Sequence, residues 1–367
     1  MSINRLQALY VLTPESRCMI YGPDEEREIA ELVDVFAPPQ SRLVATENPQ
    51  LLAKAEVIVS GWGGPLLDES FLNAAPKLQA VFYGAGATGH ILTPAVWERG
   101  IKLTSAVSIN AVPVAEYTLA TILFSLKHGW RLVRETRERR SFAARDNVPG
   151  CYGTIVGLVS LGAIARHVVR MLKPFDLKIL VYDPFLSESA AKLLGVEKSS
   201  LGDLFRRADV VSLHAPHLPE TTGMITGAHL ASMKSGSTFI NTARGAVVQE
   251  TQMIEVLSRR PDLQAVLDVT TTDPTEPESP LYDLPNVVLT PHMAGSVGPE
   301  CRRMGRFMID ELKRYLAGEP LQGEVTRELS QYSTHRPVGF DPIAQQDSDA
   351  HPGPAVVGDG NAAVVDD

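Results

Sequence analysis

The sequence predicts an α/β protein built from two doubly wound domains with parallel sheets. Short apolar segments alternate with longer amphipathic ones along most of the 367 residues, which is typical of parallel sheets covered by helices. The apolar segments recur most regularly in the second part of the chain. We expect strands there at 154–159, 178–183, 209–214, 237–241, 264–269 and 286–290. Six strands with helices between them suit one nucleotide-binding domain of the Rossmann type.

The first part of the chain predicts a second parallel sheet. Strands are expected at 55–60 and 78–83, with helical segments between them. A long apolar helix should begin at Asn110, which is a suitable N-cap because Pro113 would then lie in the first turn. A later amphipathic segment, 300–316, predicts another helix.

Charge and composition restrict the partners of the protein. The net charge of −9 comes largely from residues 331–367, which contain six Asp and one Arg. The sequence has no basic face of the kind that binds nucleic acid. Because residues 331–367 show little apolar periodicity, we expect them to form a disordered acidic tail.

The cysteines and the apolar segments indicate the cellular compartment to expect for the protein. Three cysteines lie far apart, without the paired spacing of a zinc site or a disulfide framework, which predicts reduced thiols and no metal. No segment reaches the roughly 20 apolar residues of a membrane span, and the N-terminus lacks the pattern of a secretory leader. We therefore expect a cytoplasmic protein with no membrane contact.

Residues 160–165, SLGAIA, lie where a dinucleotide-binding strand–turn–helix unit carries its glycine motif. The three glycine positions of the motif are occupied by Ser160, Gly162 and Ala165. The second position is the one where any Cβ would collide with the pyrophosphate, and Gly162 keeps it free. Ala165 costs one methyl group of clearance. Ser160 would be strained by roughly 1–3 kcal/mol if the turn needs a positive φ.

Asp183 strengthens this interpretation. It ends the second expected strand of the nucleotide-binding domain and follows Ser160 by 23 residues. A carboxylate there accepts hydrogen bonds from the ribose hydroxyls of the adenosine and repels a 2′-phosphate. The motif with its flanking strand and helix therefore predicts binding of NAD rather than NADP.

Three further segments, in their order and spacing, carry a family resemblance. They are 241–246 (NTARGA), 265–274 (AVLDVTTTDP) and 281–296 (LYDLPNVVLTPHMAGS). With them the chain resembles the D-isomer-specific 2-hydroxyacid dehydrogenase family over roughly residues 55–318.

The resemblance implies a domain plan and an activity. Residues 109–295 would form an NAD-binding Rossmann domain, inserted into a flavodoxin-like substrate domain made of residues 1–108 and 296–330. The enzyme would transfer a hydride between NAD(H) and a small 2-hydroxy or 2-keto acid, with D stereospecificity. The segment from residue 110 to residue 150 resembles the dimer contact of the family, so a homodimer is implied.

The resemblance also implies three catalytic residues. Arg244 matches the arginine of the family, whose planar guanidinium holds a carboxylate at two points. His292 matches the general acid/base. Asp273 lies 19 residues before His292, where the family normally has Glu. Because Asp is one methylene shorter, about 1.5 Å, it must approach His292 more closely or act through a water.

The other implied residues bind the two ligands. The resemblance implies four substrate-binding residues: Arg244 and His292, together with Ala85 and Gly86, which would contribute their backbone N–H groups. For NAD, it implies Ser160, Gly162, Ala163, Ile164, Asp183, Pro216, Thr222, Thr242, Ala243, Asp268 and Gly295. Loops 61–66 and 84–90 should set the side-chain specificity. Trp62 would either cap the substrate pocket or pack as an ordinary core residue.

A second hypothesis remains open from the residues alone. The same fold would serve a catalytically impaired NAD-binding protein with a regulatory or scaffold role. Ser160 and Asp273 favour this hypothesis, whereas Arg244 and His292 oppose it. Taken singly, Arg244 could be a surface residue at a strand end, His292 a structural residue, and Asp273 the first residue of a loop.

Overall fold

The computed structural model describes residues 5–332, which contain two parallel β-sheets. The first sheet consists of β1 (Gln7–Val11), β2 (Asp34–Val35), β3 (Val57–Ser60), β4 (Ala80–Tyr83) and β5 (Lys102–Ser105), in the order β2-β1-β3-β4-β5. The second consists of β6 (Ile155–Val159), β7 (Lys178–Tyr182), β8 (Glu197–Lys198), β9 (Val210–Leu213), β10 (Thr238–Asn241), β11 (Gln264–Leu267) and β12 (Val287–Leu289), in the order β12-β11-β10-β9-β6-β7-β8. All neighbouring strands are parallel, so the predicted fold class is confirmed.

Helices connect the strands. They are α1 (Pro14–Ile20), α2 (Pro23–Leu32), α3 (Arg42–Glu47), α4 (Pro49–Leu52), α5 (Glu69–Ala74), α6 (Ala95–Glu98), α7 (Val107–Leu126), α8 (Gly129–Arg139), α9 (Ala163–Leu172), α10 (Glu188–Leu194), α11 (Leu201–Arg207), α12 (Gly227–Ala231), α13 (Glu250–Arg259), α14 (Cys301–Ala317) and α15 (Arg327–Ser330).

Apolar side chains fill both faces of the second sheet. Val159 and Leu213 belong to one buried cluster, whereas their strand neighbours Leu158 and Val210 belong to another. Because successive side chains of a strand point to opposite faces, the two clusters lie on the two sides of the sheet. This is why the strands appear in the sequence as continuous apolar segments.

The second sheet has one strand more than the six that the sequence predicts. Strand β8 contains only Glu197 and Lys198, both of which are exposed, and it pairs with β7. A two-residue strand of charged residues at the edge of a sheet has no apolar segment by which it could be recognised. The six predicted strands are present, each within its expected segment.

The prediction that Asn110 caps α7 was wrong. The helix begins at Val107, directly after Ala106, whose N–H donates to the carbonyl groups of Tyr83 and Ala85. These hydrogen bonds fix the chain as it leaves β5, so the N-cap is Ala106, four residues before the predicted Asn110. The side chain of Asn110 instead accepts a hydrogen bond from the N–H of Ser296, at 2.8 Å.

The expectation that no segment is long and apolar enough to span a membrane was wrong for α7. By length and composition alone, this helix meets that criterion. Its Ala115, Ile122 and Leu126 are buried in the same cluster as Leu158 of β6. Packing against the second sheet therefore accounts for its apolar composition.

Helix α14 brings the chain back to the first sheet. It packs against α1, α2, β4 and β5, with Met304, Met308 and Leu312 buried. It also contacts α7, which packs against the second sheet. Helices α7 and α14 therefore lie at the contact between the two sheet-containing parts of the chain. The domain boundaries at residues 109 and 295 stay a prediction. The expected tail, residues 331–367, lies outside the described residues except for its first two.

The contact between α2 and α14 predicts a pH-dependent stability. Hydrogen bonds from Arg306 and Lys313 lower the pKa of Glu28 to about 2. The unfolded carboxyl has a pKa of about 4.3, so the contribution is complete above that value and is lost as the pH falls towards 2. In urea unfolding from pH 6 to roughly pH 2.5, the stability difference between the parent and Glu28→Gln should be constant above about pH 4.3 and should shrink below it. A constant difference over this range would contradict the assignment.

Candidate active site

The loops that follow three neighbouring strands carry the three predicted catalytic residues. Strands β10, β11 and β12 are adjacent in the second sheet and parallel, so their carboxyl ends lie at the same edge. Arg244 follows β10, Asp273 lies in the loop after β11, and His292 follows β12. The sheet topology thus brings together residues that are separated in sequence by up to 48 positions (292 − 244).

Side-chain and backbone contacts hold the Arg244 loop in place. The Asn241 amide accepts a hydrogen bond from the N–H of Ala243 at 3.0 Å and donates one to the carbonyl of Arg244 at 3.2 Å. The next residue must be glycine, because a Cβ on Gly245 would lie 2.0 Å from the carbonyl carbon of Thr270. This loop therefore packs directly against the loop after β11. The Arg244 guanidinium is partly buried and donates to the carbonyl of Ala243 at 2.6 Å.

The loop after β11 presents Asp273 to His292. It is folded by the Thr270 hydroxyl, which donates to the carbonyl of Thr272 at 2.6 Å, and by the bond from the N–H of Thr271 to the Glu250 carboxylate at 2.7 Å. The Asp273 Oδ2 atom contacts His292 Nδ1 directly. The short Asp side chain therefore reaches His292 by close approach and not through a bridging water.

The backbone of His292 adopts an unusual conformation. Its φ of +51° lies in the left-handed region, which is uncommon for a residue other than glycine, and its N–H donates to the carbonyl of Thr290 at 2.9 Å. The side chain is 46% exposed. With Asp273 accepting from Nδ1–H, the other ring nitrogen, Nε2, is the acceptor available for a substrate proton.

Asp268 fixes the loop that carries His292. It is 3% exposed, and its Oδ1 accepts hydrogen bonds from the Thr290 hydroxyl at 2.6 Å and the N–H of Met293 at 2.9 Å. Its Oδ2 accepts from the N–H of Ala294, also at 2.9 Å. The family resemblance implies a contact with NAD for this residue. The structure adds three hydrogen bonds that position His292 from both sides.

Helix α7 is linked to the same network. The Tyr117 hydroxyl lies 2.9 Å from the hydroxyl of Thr290, and burial raises the pKa of Tyr117. Neither Tyr117 nor Thr290 was predicted, although Thr290 lies within the segment 281–296 that carries the family resemblance. Their roles depend on contacts across 173 residues of sequence, which no local pattern reveals.

The predicted phosphate-binding turn lies at the point where the strand order reverses. It follows β6, whose neighbours in the sheet are β7 and β9. Gly162 precedes the first turn of α9, and a Cβ added to it would meet no atom within 4 Å. The first-turn N–H groups of a helix have no partners within the helix and attract anions. The turn therefore has the space and the donors that a pyrophosphate needs.

Ser160 has the positive φ that the sequence left open, +74°. Its N–H donates to the carbonyl of Tyr182 at 2.7 Å, and its hydroxyl lies 3.4 Å from Asp183 Oδ2. The same carboxylate oxygen accepts from the N–H of Leu161 at 2.8 Å. Asp183 thus supports the turn. Its other oxygen, Oδ1, accepts from the N–H of Phe185 at 2.8 Å and keeps a second lone pair for a ribose hydroxyl.

Replacing Ser160 by glycine should stabilise the protein by roughly 1 kcal/mol, because the left-handed penalty disappears while glycine adds some chain entropy to the unfolded state. The midpoint of urea unfolding measures this change. Ser187→Gly is the matched control, since Ser187 caps α10 with an ordinary φ of −81° and its loss should cost a few tenths of a kcal/mol. Equal shifts in both variants would contradict strain at Ser160.

The other predicted NAD-binding residues lie along the same edge. Ala163 and Ile164 form the first turn of α9, Pro216 and Thr222 lie in the loop after β9, and Thr242 and Ala243 lie directly after β10. The Thr222 hydroxyl is exposed and donates to the carbonyl of Leu218 at 2.9 Å, so it stabilises its own turn. In the same loop, burial lowers the pKa of His214 to about 4, which keeps it neutral.

The predicted substrate loop follows β4 of the first sheet. Ala85 and Gly86 are both buried, and the N–H of Ala85 already donates to the carbonyl of Tyr83 at 2.8 Å. The N–H of Ala85 therefore takes part in the turn, and the role of Ala85 and Gly86 in substrate binding stays a prediction. Glycines 86 and 295 both lie against the Asn110 amide, with added Cβ atoms 3.4 and 3.2 Å from it. Asn110 thus joins the substrate loop to the loop after His292.

No cluster of three or more His, Cys, Asp or Glu residues that could hold a metal ion occurs within residues 5–332.

A doubly wound sheet with a glycine-containing turn at its switch point defines the class of dinucleotide-binding α/β proteins. Comparison with known proteins narrows the class. The NAD-binding domain of D-isomer specific 2-hydroxyacid dehydrogenases matches residues 119–294. The chain belongs to the D-isomer-specific 2-hydroxyacid dehydrogenase family.

Two relatives and one solved structure illustrate the match. A glyoxylate reductase from Korarchaeum cryptofilum is 30% identical over 308 residues, which are 83% of this chain and 90% of that protein. A D-3-phosphoglycerate dehydrogenase from Mycobacterium bovis is 33% identical over 291 residues, or 78% of this chain. The chain spans about half the length, 53%, of that protein. D-mandelate dehydrogenase from Rhodotorula graminis, in its apo form, shares the fold with a TM-score of 0.72 at 24% identity, over 88% of this chain and 98% of that one.

Proposed function

We propose that the protein is an NAD-dependent dehydrogenase that interconverts a small D-2-hydroxy acid and the corresponding 2-keto acid. The observation that carries this proposal is the direct contact between His292 and Asp273. Asp273 lies on the loop after β11, which packs against the loop that carries Arg244. A histidine held by a carboxylate, beside a guanidinium, supplies the groups that reduction of a keto acid requires.

Each residue has a distinct task in the proposed reaction. Bound NADH supplies the hydride that C2 of the keto acid receives. Arg244 binds the substrate carboxylate and polarises the C2 carbonyl. His292 donates the proton that the carbonyl oxygen gains, and it accepts that proton in the reverse direction. Asp273 holds the histidine ring in orientation through Nδ1–H.

The geometry of the turn after β6 supports the cofactor contacts that we propose. Gly162 and the first-turn N–H groups of Ala163 and Ile164 would hold the pyrophosphate, and Asp183 would bind the adenosine ribose. The open space beside Gly162 supports this assignment. Pro216, Thr242, Ala243 and Gly295 would line the channel between adenine and nicotinamide.

We further propose a cytoplasmic homodimer that uses the surface of α7, α8 and the segment after them. Large apolar side chains are exposed there: Val107 (51%), Phe124 (40%), Val133 (63%), Phe142 (92%) and Tyr152 (86%). Such a concentration of exposed apolar side chains is typical of an interface.

The regulatory or scaffold alternative is not favoured. It drew support from Ser160 and from the shorter carboxylate at Asp273. Because Asp273 contacts His292 directly, the shorter side chain does not break the pair.

Initial rates with a panel of 2-keto acids test the proposal. NADH oxidation should be measured with each acid and compared with NADPH, which the Asp183 carboxylate should disfavour. Turnover of at least one acid with preference for NADH is the expected result. Binding of NADH without turnover of any acid would support the scaffold alternative instead.

A further inference from the structure

The loops that we assign to the substrate side of the first sheet contain no lysine or arginine. This wall of the cleft consists of the loops after β3 and β4, whose carboxyl ends lie at the same edge of the sheet. Their sequences are GWGGPLLD (61–68) and GAGATGHILTP (84–94), in which Asp68 and His90 are the titratable side chains. Asp68 is the N-cap of α5 and accepts a hydrogen bond from the N–H of Phe71 at 2.8 Å. Glycine and apolar residues make up most of the rest of the two loops.

Hydrogen bonds join the two loops into one unit. The N–H of Leu67 donates to the carbonyl of Ile91 at 2.8 Å, and the Thr93 hydroxyl donates to the carbonyl of Leu67 at 2.6 Å. His90 is held by the buried Tyr83, with 3.2 Å between Nε2 and the tyrosine hydroxyl. The wall is thus fixed in shape before any ligand binds.

Apolar side chains are available on this wall. Trp62 is partly buried and packs against the core clusters on both faces of the first sheet, so it lies across the end of that sheet. Leu66, in the same loop, is 47% exposed. Both residues can cover an apolar substrate group.

The opposite wall offers one strong cation. Arg244 is the one Lys or Arg residue in the loops after β6, β7 and β9–β12. In the proposed function Arg244 binds the carboxylate that all 2-keto acids share. The loop after β11 adds the carboxylates of Asp273, Glu276 and Glu278. A second anionic group on the substrate would therefore meet negative charge and find no partner, which is unfavourable once the cleft excludes water.

We propose that the preferred substrate carries an uncharged side chain on C2, small or apolar, which packs against Trp62 and Leu66. Phosphorylated and dicarboxylic 2-keto acids are then poor substrates, even though the chain resembles a phosphoglycerate dehydrogenase in sequence. This inference rests on the proposed function and specifies the substrate class of the same site.

The test compares kcat/KM for glyoxylate, pyruvate and phenylpyruvate with that for phosphohydroxypyruvate, oxaloacetate and 2-oxoglutarate, all with NADH. The best uncharged acid should exceed every doubly anionic acid by roughly 10- to 100-fold, the worth of one missing charged hydrogen bond. A doubly anionic acid as the best substrate would overturn the inference and leave the dehydrogenase function intact. No turnover of any acid would instead reject the proposed function, and the inference with it.

Two variants probe the wall itself. Leu66→Arg should raise kcat/KM for phosphohydroxypyruvate by roughly tenfold or more, because it adds the missing cation. Leu43→Arg is the matched control, since Leu43 is similarly exposed (55%) on α3, and it should change nothing. Trp62→Ala should lower kcat/KM for phenylpyruvate roughly 10- to 200-fold while glyoxylate, which has no side chain, is affected less. Equal effects of Trp62→Ala on both acids, or equal effects of the two Arg variants, would contradict the assignment of this wall.

Discussion

Substitution of His292 by alanine should lower kcat for keto-acid reduction by about 10²- to 10⁴-fold, the usual contribution of a positioned general acid/base. The loss follows from the removal of the imidazole that directly contacts Asp273. Steady-state rates at saturating NADH, with the best acid of the panel, measure it.

The cofactor site supplies the control for this variant. Gly162 and Asp183 lie on the loops after β6 and β7, whereas His292 follows β12 at the far end of the sheet order. The affinity for NADH, measured by fluorescence titration, should therefore stay within about twofold of the parent value, because a substitution has little energetic effect on residues that are distant from it. Activity within about threefold of the parent would reject the role of His292 as general acid/base.

The strand pattern of the second sheet was predictable because both of its faces are buried, whereas β1, β2 and β5 of the first sheet were not predicted. A strand covered by helices on both sides must be apolar throughout, so segments such as 154–159 and 237–241 are recognisable without any alignment. Edge strand β8 has no such constraint and went unpredicted. The start of α7 was misplaced for a related reason, since Ala106 is fixed by hydrogen bonds to the distant residues Tyr83 and Ala85.

The candidate site was predictable where a residue type is required by its own chemistry. Gly162, Arg244 and His292 are such residues, and the family resemblance placed them in order. The residues that hold them were not predictable, because their roles depend on long-range contacts. Asp268, for example, binds the backbone 25 and 26 residues further along the chain. Two alternatives were left open by the sequence: the sign of φ at Ser160, and whether Asp273 contacts His292 directly or through a water. Each is decided by the folded backbone, which the residue type alone does not specify.

Substitution of Arg244 by lysine should lower kcat/KM for the keto acid by roughly 10²- to 10³-fold, the usual cost of losing a preorganised donor to a developing negative charge. Lysine keeps the charge but lacks the planar pair of N–H donors that can bind carboxylate and carbonyl together. The backbone at this position is fixed by Asn241 and by the contact of Gly245 with Thr270, so the shorter ammonium group cannot be brought closer by a shift of the loop. Arg207→Lys, at an exposed ion pair with Glu197, is the matched control and should retain parental kinetics. If Arg244→Lys kept kcat/KM within about tenfold, two-point binding by the guanidinium would not be what the reaction requires.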